Sequence, residues 1–598
     1  MARNRTTQDA GTSFFRRFFI PLLWSIALLG FLLRLGTAIE FSGINGGANN
    51  MLSPPSVSDL RTYITLGSEI ARGIFPKEFY YQPFYYAVFL PVIYLLSGTS
   101  LWAVAVIQCV LGGFTVLFAG LTARELFGRI AGVLAAFFTA ISTPLLLYAP
   151  FHQNETLQAF NLTLLFFLFL KALRKKNLSY WALTGLMAGI ALLTRGNALL
   201  FLPLFLAGLW LMKRVSIRRK GLLTLVFLVC FVAPQIPFIV RNTAAKGRLT
   251  GPSTAADAVL ALGNTPEAPP GGRNAGLPAG PMEYPPSFHS WMAKAAKDVS
   301  VPRQMFNWMC REPGAFFELQ FRKLLLFWDG RELPNNVSLY GEGKYSLLLK
   351  LLLPGRSHLL LALALAGMFL FAGKSFSSGM RRRGYLYIFC VIYWGAVALF
   401  YILSRFRAPI IPLTQVFAGA FIACHILRWK KWERNRKILG LLCLAAGAFF
   451  TVRAYDLYAD NLEPALMRAF RPAGTVTETG IIDNGPFTCG AWTPAELPSG
   501  TRIGKKIAAP ADRRGNWKWH VFSPEEGTLI VKVDGSEKIL SLVSGMNELS
   551  FAGPAEIEIE VVSAPQGCAA VFDARRDYGR STLNGRKLRG EWVMRFTL

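Results

Sequence analysis

The residues best suited to chemistry in this chain are two acids and four arginines. Asp59 opens the stretch SDLRTYITLGSEIARGIFPKEFYYQ, which runs from Ser58 to Gln82. Glu155 stands in HQNET, Arg195 in TRGN, Arg241 in IVRN, and Arg405 and Arg407 in YILSRFRAP. A carboxylate held near a hydroxyl nucleophile supplies the base that such a poor acid needs. Arginines make planar, bidentate contacts to phosphate oxygens and stabilise a departing phosphate by charge. Together they suit transfer of a sugar from a lipid phosphate to a hydroxyl. Each residue also has a plainer role. Ser58 or Asp59 fits the N-terminus of the amphipathic helix LRTYITLGSEIA. Glu155 suits a helix start, and each arginine could snorkel to lipid headgroups.

The elements that position these groups are apolar. Of 598 residues, 53% are hydrophobic and only 17% charged, too few charges for a soluble chain of this length. About eleven apolar runs are long enough to cross a membrane. They lie near 18–39, 99–120, 130–148, 157–173, 180–194, 197–213, 221–240, 356–373, 385–403, 408–428 and 437–453. The fifth and sixth abut at Thr194-Arg195-Gly196-Asn197 and read as a helical hairpin. The first is too long for a cleaved signal and reads as a retained span.

A net charge of +29 raises the question of nucleic acid, but its distribution answers it. Short basic loops such as TARELFGR, KALRKKN, KRVSIRRKG and RWKKWERNRK fall on one side, the positive-inside pattern. No nucleic-acid partner is expected. Keeping those loops together requires that Pro83–Leu96, only about 14 residues, not be a span. The N-terminus is then cytoplasmic. Outer loops span 40–98 and 241–355, and all six candidate residues reach the outer ends of spans. Ionisable groups there are functional candidates by default.

Two units are expected: 1–459, membrane-embedded, and 460–598, extracytoplasmic. In the second, TLIVKVDG, KILSLVSG and AEIEIEVV alternate at period two, and EWVMRFTL is a further strand candidate. This predicts a β-sandwich. Trp517 and Trp519 share one strand face, to stack on a sugar or to pack in the core. The long loop 241–355 turns helical around Trp291–Lys297 and Ala315–Trp328 and reads as an ordered lid or wall. Of eight cysteines, Cys489 and Cys568 fall in the tail and could pair if it faces outward. The sequons at Asn154, Asn161, Asn177 and Asn336 read as chance. There is no P-loop, GxGxxG, HExxH or Cys/His cluster. No internal repeat supports a transporter.

Seven stretches in order resemble the GT-C superfamily of integral membrane glycosyltransferases. They are SDLRTYITLGSEIARG, YYQPFYYAVFLPVIYLLSG, LLLYAPFHQNETLQAFNLTLLFFLFLKAL, GLMAGIALLTRGNALLFLPLFL, APQIPFIVRNTAAKGRLTGPSTAADAVLALGNTPEA, FRKLLLFWDGRELPNN and YILSRFRAPIIPL. The chain is most similar to the family-39-like group, which includes protein O-mannosyltransferases and the aminoarabinose transferases of lipid A. The resemblance implies that Asp59 is the first-loop acid, acting as base or orienting the acceptor, and Glu155 the second-loop acid. It implies phosphate-ligand roles for Arg407, Arg241 and Arg195. The aminoarabinose transferases carry Glu-Lys-Pro where this chain has Tyr81, Gln82 and Pro83. The family's lysine is absent there, with Lys77 nearby.

The expected fold is therefore a polytopic α-helical, GT-C-like membrane protein with a C-terminal β-sandwich-like domain, in the cell (inner or plasma) membrane. The expected activity is inverting transfer of a hexose or pentose from a polyprenyl-phosphate donor to an acceptor on the extracytoplasmic face. The candidate set is Asp59 and Glu155 as catalytic acids. Arg407, Arg241, Arg195, Arg405 and Lys77 would hold the donor phosphate. Tyr63, Tyr81, Gln82 and His152 would line the substrate pocket. No metal ligands are assigned, and whether a divalent cation joins the two acids is left open. The rivals are a lipid-linked sugar flippase or transporter, and a polymerase or ligase of lipid-linked glycans.

Overall fold

The computed structural model describes residues 2–44, 50–54, 58–266, 268, 271, 287–297, 299–333, 335–339, 341–352, 355–375, 381–458, 481–482, 492–507, 514–543, 545–573, 581–588, 591–592 and 594–597. Six helical stretches among them are long and apolar enough to cross a membrane: Arg17–Ser42, Leu101–Phe127, Glu155–Lys175, Ile217–Lys246, Ser404–Lys431 and Arg434–Val452. Shorter apolar helices accompany them, at Tyr85–Ser97, Arg129–Ile141, Leu178–Thr194, Gly196–Trp210 and Ser357–Ala372. The chain is a polytopic α-helical membrane protein.

Helix α1, Ala2–Ser42, leads into the first loop, where α2, Asp59–Ala71, begins. The Ser58 hydroxyl accepts the Arg61 N–H and caps α2. A π-helical turn at Phe84–Phe89 runs into α3, Leu90–Ser97. Gly67 of α2 lets α3 approach, since a Cβ there would stand 2.9 Å from the Leu90 Cβ. Pro83–Leu96, set aside as a span, is thus a short helix lying on α2.

Next come α4, Leu101–Phe127, and a pair broken at Ser142: α5, Arg129–Ile141, and α6, Thr143–Tyr148. Pro144 in the first turn of α6 removes a backbone donor, which explains the break. It leaves carbonyls at the end of α5 that need partners. Buried Arg34 of α1 donates to two of them, Thr139 at 3.3 Å and Ala140 at 3.5 Å. A cation there also complements the helix dipole. Gly112 of α4 makes room, since its Cβ would lie 2.3 Å from the Arg34 Cδ.

Helices α7, Glu155–Lys175, and α8, Leu178–Thr194, lead through Arg195 and a 3-10 turn at Gly196–Phe201 into α9, Leu202–Trp210. Then follow α10, Ile217–Val232, and α11, Ile236–Lys246. Gly185 and Gly189 admit the α10 backbone at Phe227 and Phe231, the close approach small residues allow in membranes. The second long loop folds into α12, Ala256–Asn264, α13, Phe288–Ala296, α14, Val301–Arg311, and α15, Pro313–Trp328. Trp291, Trp308 and Phe316 bury together there, so this segment has its own small core.

The loop then reaches α16, Leu347–Leu351. Glu40 of α1 accepts the Leu347 and Leu348 N–H groups at 3.0 and 3.2 Å and caps this short helix. Helices α17, Ser357–Ser375, and α18, Arg381–Ala398, precede a single turn, α19, Ser404–Arg407. The chain continues through α20, Ile411–Cys424, α21, Arg434–Val452, and α22, Ala454–Leu457.

Beyond residue 480 the described chain is all strand and turn. Two antiparallel sheets form, one of seven strands and one of six. Arg514–Ser523 is central to the first and pairs along its length with Gly545–Pro554. Alternation puts Trp517 and Trp519 on one face, and both are fully buried in the core, along with Trp592. Their packing accounts for them, and neither ring is open to stack on a sugar. Cys489 lies outside the described residues, while Cys568 is buried in the same core.

Candidate active site

Glu155 is the first residue of α7, where the helix dipole favours a carboxylate. It is 1% exposed. Residues on either side of it sew α7 to the end of α8. The Asn154 amide donates to the Thr194 carbonyl at 3.0 Å. Asn161 donates to the Thr194 hydroxyl at 3.1 Å, and Gln158 to the Ala191 carbonyl at 3.2 Å. This clamp aims the TRGN turn. Arg195 leaves α8 in an extended conformation, φ −156° and ψ 117°, and donates to Glu155 Oε1 at 2.7 Å and Asn154 Oδ1 at 2.9 Å.

Arg405, on the α19 turn, joins the two acids. Its Nη2 lies 2.6 Å from Asp59 Oδ2, and its Nε lies 3.9 Å from Glu155 Oε1. Both guanidiniums lie over the Phe406 ring, Arg195 4.5 Å and Arg405 5.0 Å from its centroid. Contact with the ring, together with the shared Glu155 carboxylate, lets two like charges occupy a small space. The Tyr393 hydroxyl donates to the Phe406 carbonyl at 2.8 Å and fixes the turn. Asp59 is the more open acid, its side chain 34% exposed against 1% for Glu155. It also accepts the Asn336 amide at 3.0 Å.

Tyr63, one turn after Asp59 on α2, is buried edge-on to Tyr81 and Tyr85, at 5.9 and 5.4 Å between centroids, and stacks on Tyr86. Burial and then the Asp59 charge push its phenol well above the usual tyrosine range. Gln82 faces the TRGN turn, since a Cβ on Gly196 would stand 3.7 Å from Gln82 Nε2. His152 is buried in the loop before α7, and burial pulls its imidazole down to about 4. It is therefore neutral at neutral pH.

The remaining candidates lie elsewhere. Arg241 donates to the Pro76 carbonyl at 2.7 Å and the Phe75 carbonyl at 3.3 Å, and holds the far end of the first loop. Arg407 points the other way from Arg405. It donates to the carbonyls of Phe327, Asp329 and Arg331 and to the Ser404 hydroxyl. Lys77 is exposed. So the fold gathers Asp59, Glu155, Arg195 and Arg405, with Tyr63 and Gln82 beside them. Arg241, Arg407 and Lys77 are not in that group.

Sequence reasoning missed Asn336, Asn154 and Phe406. Asn336 sits in Asn335-Asn336 at φ 63°, a left-handed position that asparagine tolerates. Its sequon drew attention to the wrong property. Asn154 was visible as the residue before a helix start. Phe406 was visible as the aromatic between two arginines.

Several buried polar atoms here have no protein hydrogen-bond partner: Glu155 Oε2, His152 Nε2, both amide atoms of Gln153 and Gln158 Oε1. Buried polar groups are normally satisfied, so such a group marks a place for water or a polar ligand. Among the described residues, no set of three His, Cys, Asp or Glu side chains could hold a metal ion. The positive charge between the acids is the Arg405 guanidinium.

Residues 81–238 match the family described as dolichyl-phosphate-mannose-protein mannosyltransferase. No curated protein matches the chain. Among solved structures, the apo oligosaccharyltransferase of Archaeoglobus fulgidus is similar over 77% of this chain and 59% of its own, at 16% identity and TM-score 0.42. The chain therefore spans about three fifths of the length of that relative. ArnT of Cupriavidus metallidurans bound to undecaprenyl phosphate is similar over 78% of this chain and 67% of its own, at 15% identity and TM-score 0.38. Arabinosyltransferase EmbB of Mycobacterium smegmatis is similar over 95% and 64%, at 13% identity and TM-score 0.26. The family match covers the stretch that supplies Tyr81, Gln82, His152, Glu155 and Arg195, and over those residues the chain is similar to that family.

Proposed function

We propose that the chain is an inverting membrane glycosyltransferase. It moves a monosaccharide from a polyprenyl-phosphate donor to an acceptor hydroxyl or phosphate. The observation that carries this reading is the pairing of Arg405 with both acids, Asp59 at 2.6 Å and Glu155 at 3.9 Å, beside buried polar atoms left for a ligand. The family description over residues 81–238 names a lipid-phosphate sugar as donor, which supports the donor class.

In this reading Asp59, the more exposed acid, takes the acceptor proton as the acceptor oxygen attacks the anomeric carbon. The bond from that carbon to the donor phosphate breaks, and the lipid phosphate departs with the electron pair. Arg405 and Arg195 stabilise its charge, held in place by Phe406 and Glu155. Glu155 keeps both guanidiniums aimed. Arg407 and Arg241, whose donors go to main-chain carbonyls, hold the walls. Tyr63, Tyr81, Gln82 and His152 line the sugar side. The site faces the extracytoplasmic side of the cell membrane, the N-terminus is cytoplasmic, and residues 460–598 form an extracytoplasmic unit.

The test is mass spectrometry of envelope lipids, glycans and proteins from cells with and without the chain. Loss should remove one glycosylated product and leave its polyprenyl-phosphate sugar in excess. An unchanged product set would overturn the reading.

A further inference from the structure

A separate cavity of about 340 Å³ lies behind the same turn that carries Arg405. Arg405 faces the acids, while Ser404 and Arg407 of that turn line the cavity. Its other walls are α6, the segment from Gly330 to Lys350, and the first residues of α17.

The wall is strongly cationic. Lys344, Lys350, Arg356 and Arg407 line it, with His358 beside them. Among the described residues, Lys344, Lys350 and Arg356 form no ion pair, and the Lys344 ammonium rests on the Tyr345 ring, 5.0 Å from its centroid. The acid in the lining, Glu332, directs its two oxygens to the Leu339 N–H at 2.9 and 2.7 Å. Four cationic side chains thus line the cavity beside one carboxylate, Glu332, and the excess charge is positive. Like charges gathered round one space repel, and an anion that fills the space removes the repulsion. Arginine and lysine together favour a phosphate-class group.

Leu147, Leu339 and Leu349 give the cavity an apolar side, among the polar groups of Thr143, Tyr148, Ser357 and Ser404. Helix α16, which carries Lys350, also presents Leu347 and Leu351, 62% and 65% exposed. Lysine among exposed leucines on a short helix is an interfacial pattern. A ligand with an anionic head and an apolar stem matches both halves. We propose that this cavity binds the phosphate headgroup of an anionic lipid, at a site separate from the acid cluster. Binding here involves no bond-making and does not depend on the transfer reaction.

The test uses the full-length protein in a neutral detergent, with native mass spectrometry as readout. The probes are dioleoyl phosphatidic acid, dioleoylglycerol and inorganic phosphate. Phosphatidic acid should bind, and dioleoylglycerol should not. The double variant K350Q/R356Q should weaken phosphatidic acid binding by about tenfold or more. The control K213Q/R214Q, at an exposed basic site elsewhere, should leave it unchanged. K350A/R356A serves as a second variant should the first not fold. Equal binding of dioleoylglycerol, or binding indifferent to the cavity variants, overturns the proposal. Inorganic phosphate that binds the cavity as tightly as the lipid overturns the lipid assignment and makes the ligand a soluble phosphate.

Discussion

Asn336 donates its side-chain amide to Asp59 Oδ2 at 3.0 Å, the same oxygen that Arg405 reaches at 2.6 Å. One residue comes from the first loop and the other from the end of the second. The loop end is itself pinned to the α19 turn: the Leu333 N–H donates to the Ser404 hydroxyl at 2.7 Å, and Arg407 takes three of its carbonyls. The wall thus holds the acid.

Asn336→Gly keeps the left-handed backbone, which glycine adopts freely, and removes only the amide. A hydrogen bond to a charged group contributes about 1.5–3 kcal/mol. We expect transfer to fall by at least about tenfold, with kcat falling more than KM. Asn336→Asp places a carboxylate against Asp59 and should also move the acid limb of the pH–rate profile upward. A profile and kcat unchanged in both variants would rule out a positioning role for Asn336.

Arg407 should act through structure. Arg407→Ala strips the carbonyls of Phe327, Asp329 and Arg331 of their donor, inside a buried turn. Limited proteolysis should then cut within 327–339 faster than in the unmodified protein, at equal helical content. Arg405→Ala should lower transfer without that change in cleavage. If the two variants gave the same cleavage pattern, the division between aiming charge and holding wall would fail.

His152 predicts an acid sensitivity. Its pKa is depressed from 6.5 to about 4 by burial, so folding favours the neutral ring. The sign follows: this stability is present above pH 6.5 and is lost as pH falls toward 4. The ceiling is on the order of 3 kcal/mol at full protonation of the unfolded state. Thermal unfolding in detergent at pH 7.5 and pH 5 measures it. His152→Asn should lower the melting temperature at pH 7.5 and narrow the gap between the two pH values. An unaltered gap would show that His152 does not contribute.

Gly112 tests the buried cation. A Cβ there would meet the Arg34 side chain at 2.3 Å. Gly112→Val should destabilise the protein by about 1–3 kcal/mol, the usual scale of overpacking. The double variant Gly112→Val with Arg34→Met should recover part of that loss. Thermal melting of the four-member cycle gives the coupling, and strict additivity would argue against the contact.

Much of the fold could be read from the chain, because membrane spans announce themselves by length and apolarity. The break at Ser142 was hidden inside one apolar run, and only Pro144 hinted at it. At the site, residue type and position at span ends brought out Asp59, Glu155, Arg195 and Arg405. Those same rules also selected Arg241 and Arg407, and the family resemblance added Lys77. A guanidinium that pairs with carboxylates and one that grips carbonyls look alike in sequence, and only the acceptors around them differ. Asn336 was invisible for the opposite reason. Its partner lies across a loop closure that no local pattern encodes. Trp517 and Trp519 show the same limit, since alternation places two side chains on one face without saying whether that face is covered.

The central claim is that Asp59, aimed by Arg405, accepts the acceptor's proton. The most direct measurement is single-turnover transfer by purified protein from a radiolabelled polyprenyl-phosphate sugar, comparing the unmodified protein with Asp59→Asn. Asparagine keeps the shape and a hydrogen-bonding oxygen but cannot take the proton. The account predicts retained donor binding and a loss of transfer of about a hundredfold or more, the scale of general-base catalysis. A folded Asp59→Asn variant that transfers at the unmodified rate would contradict it.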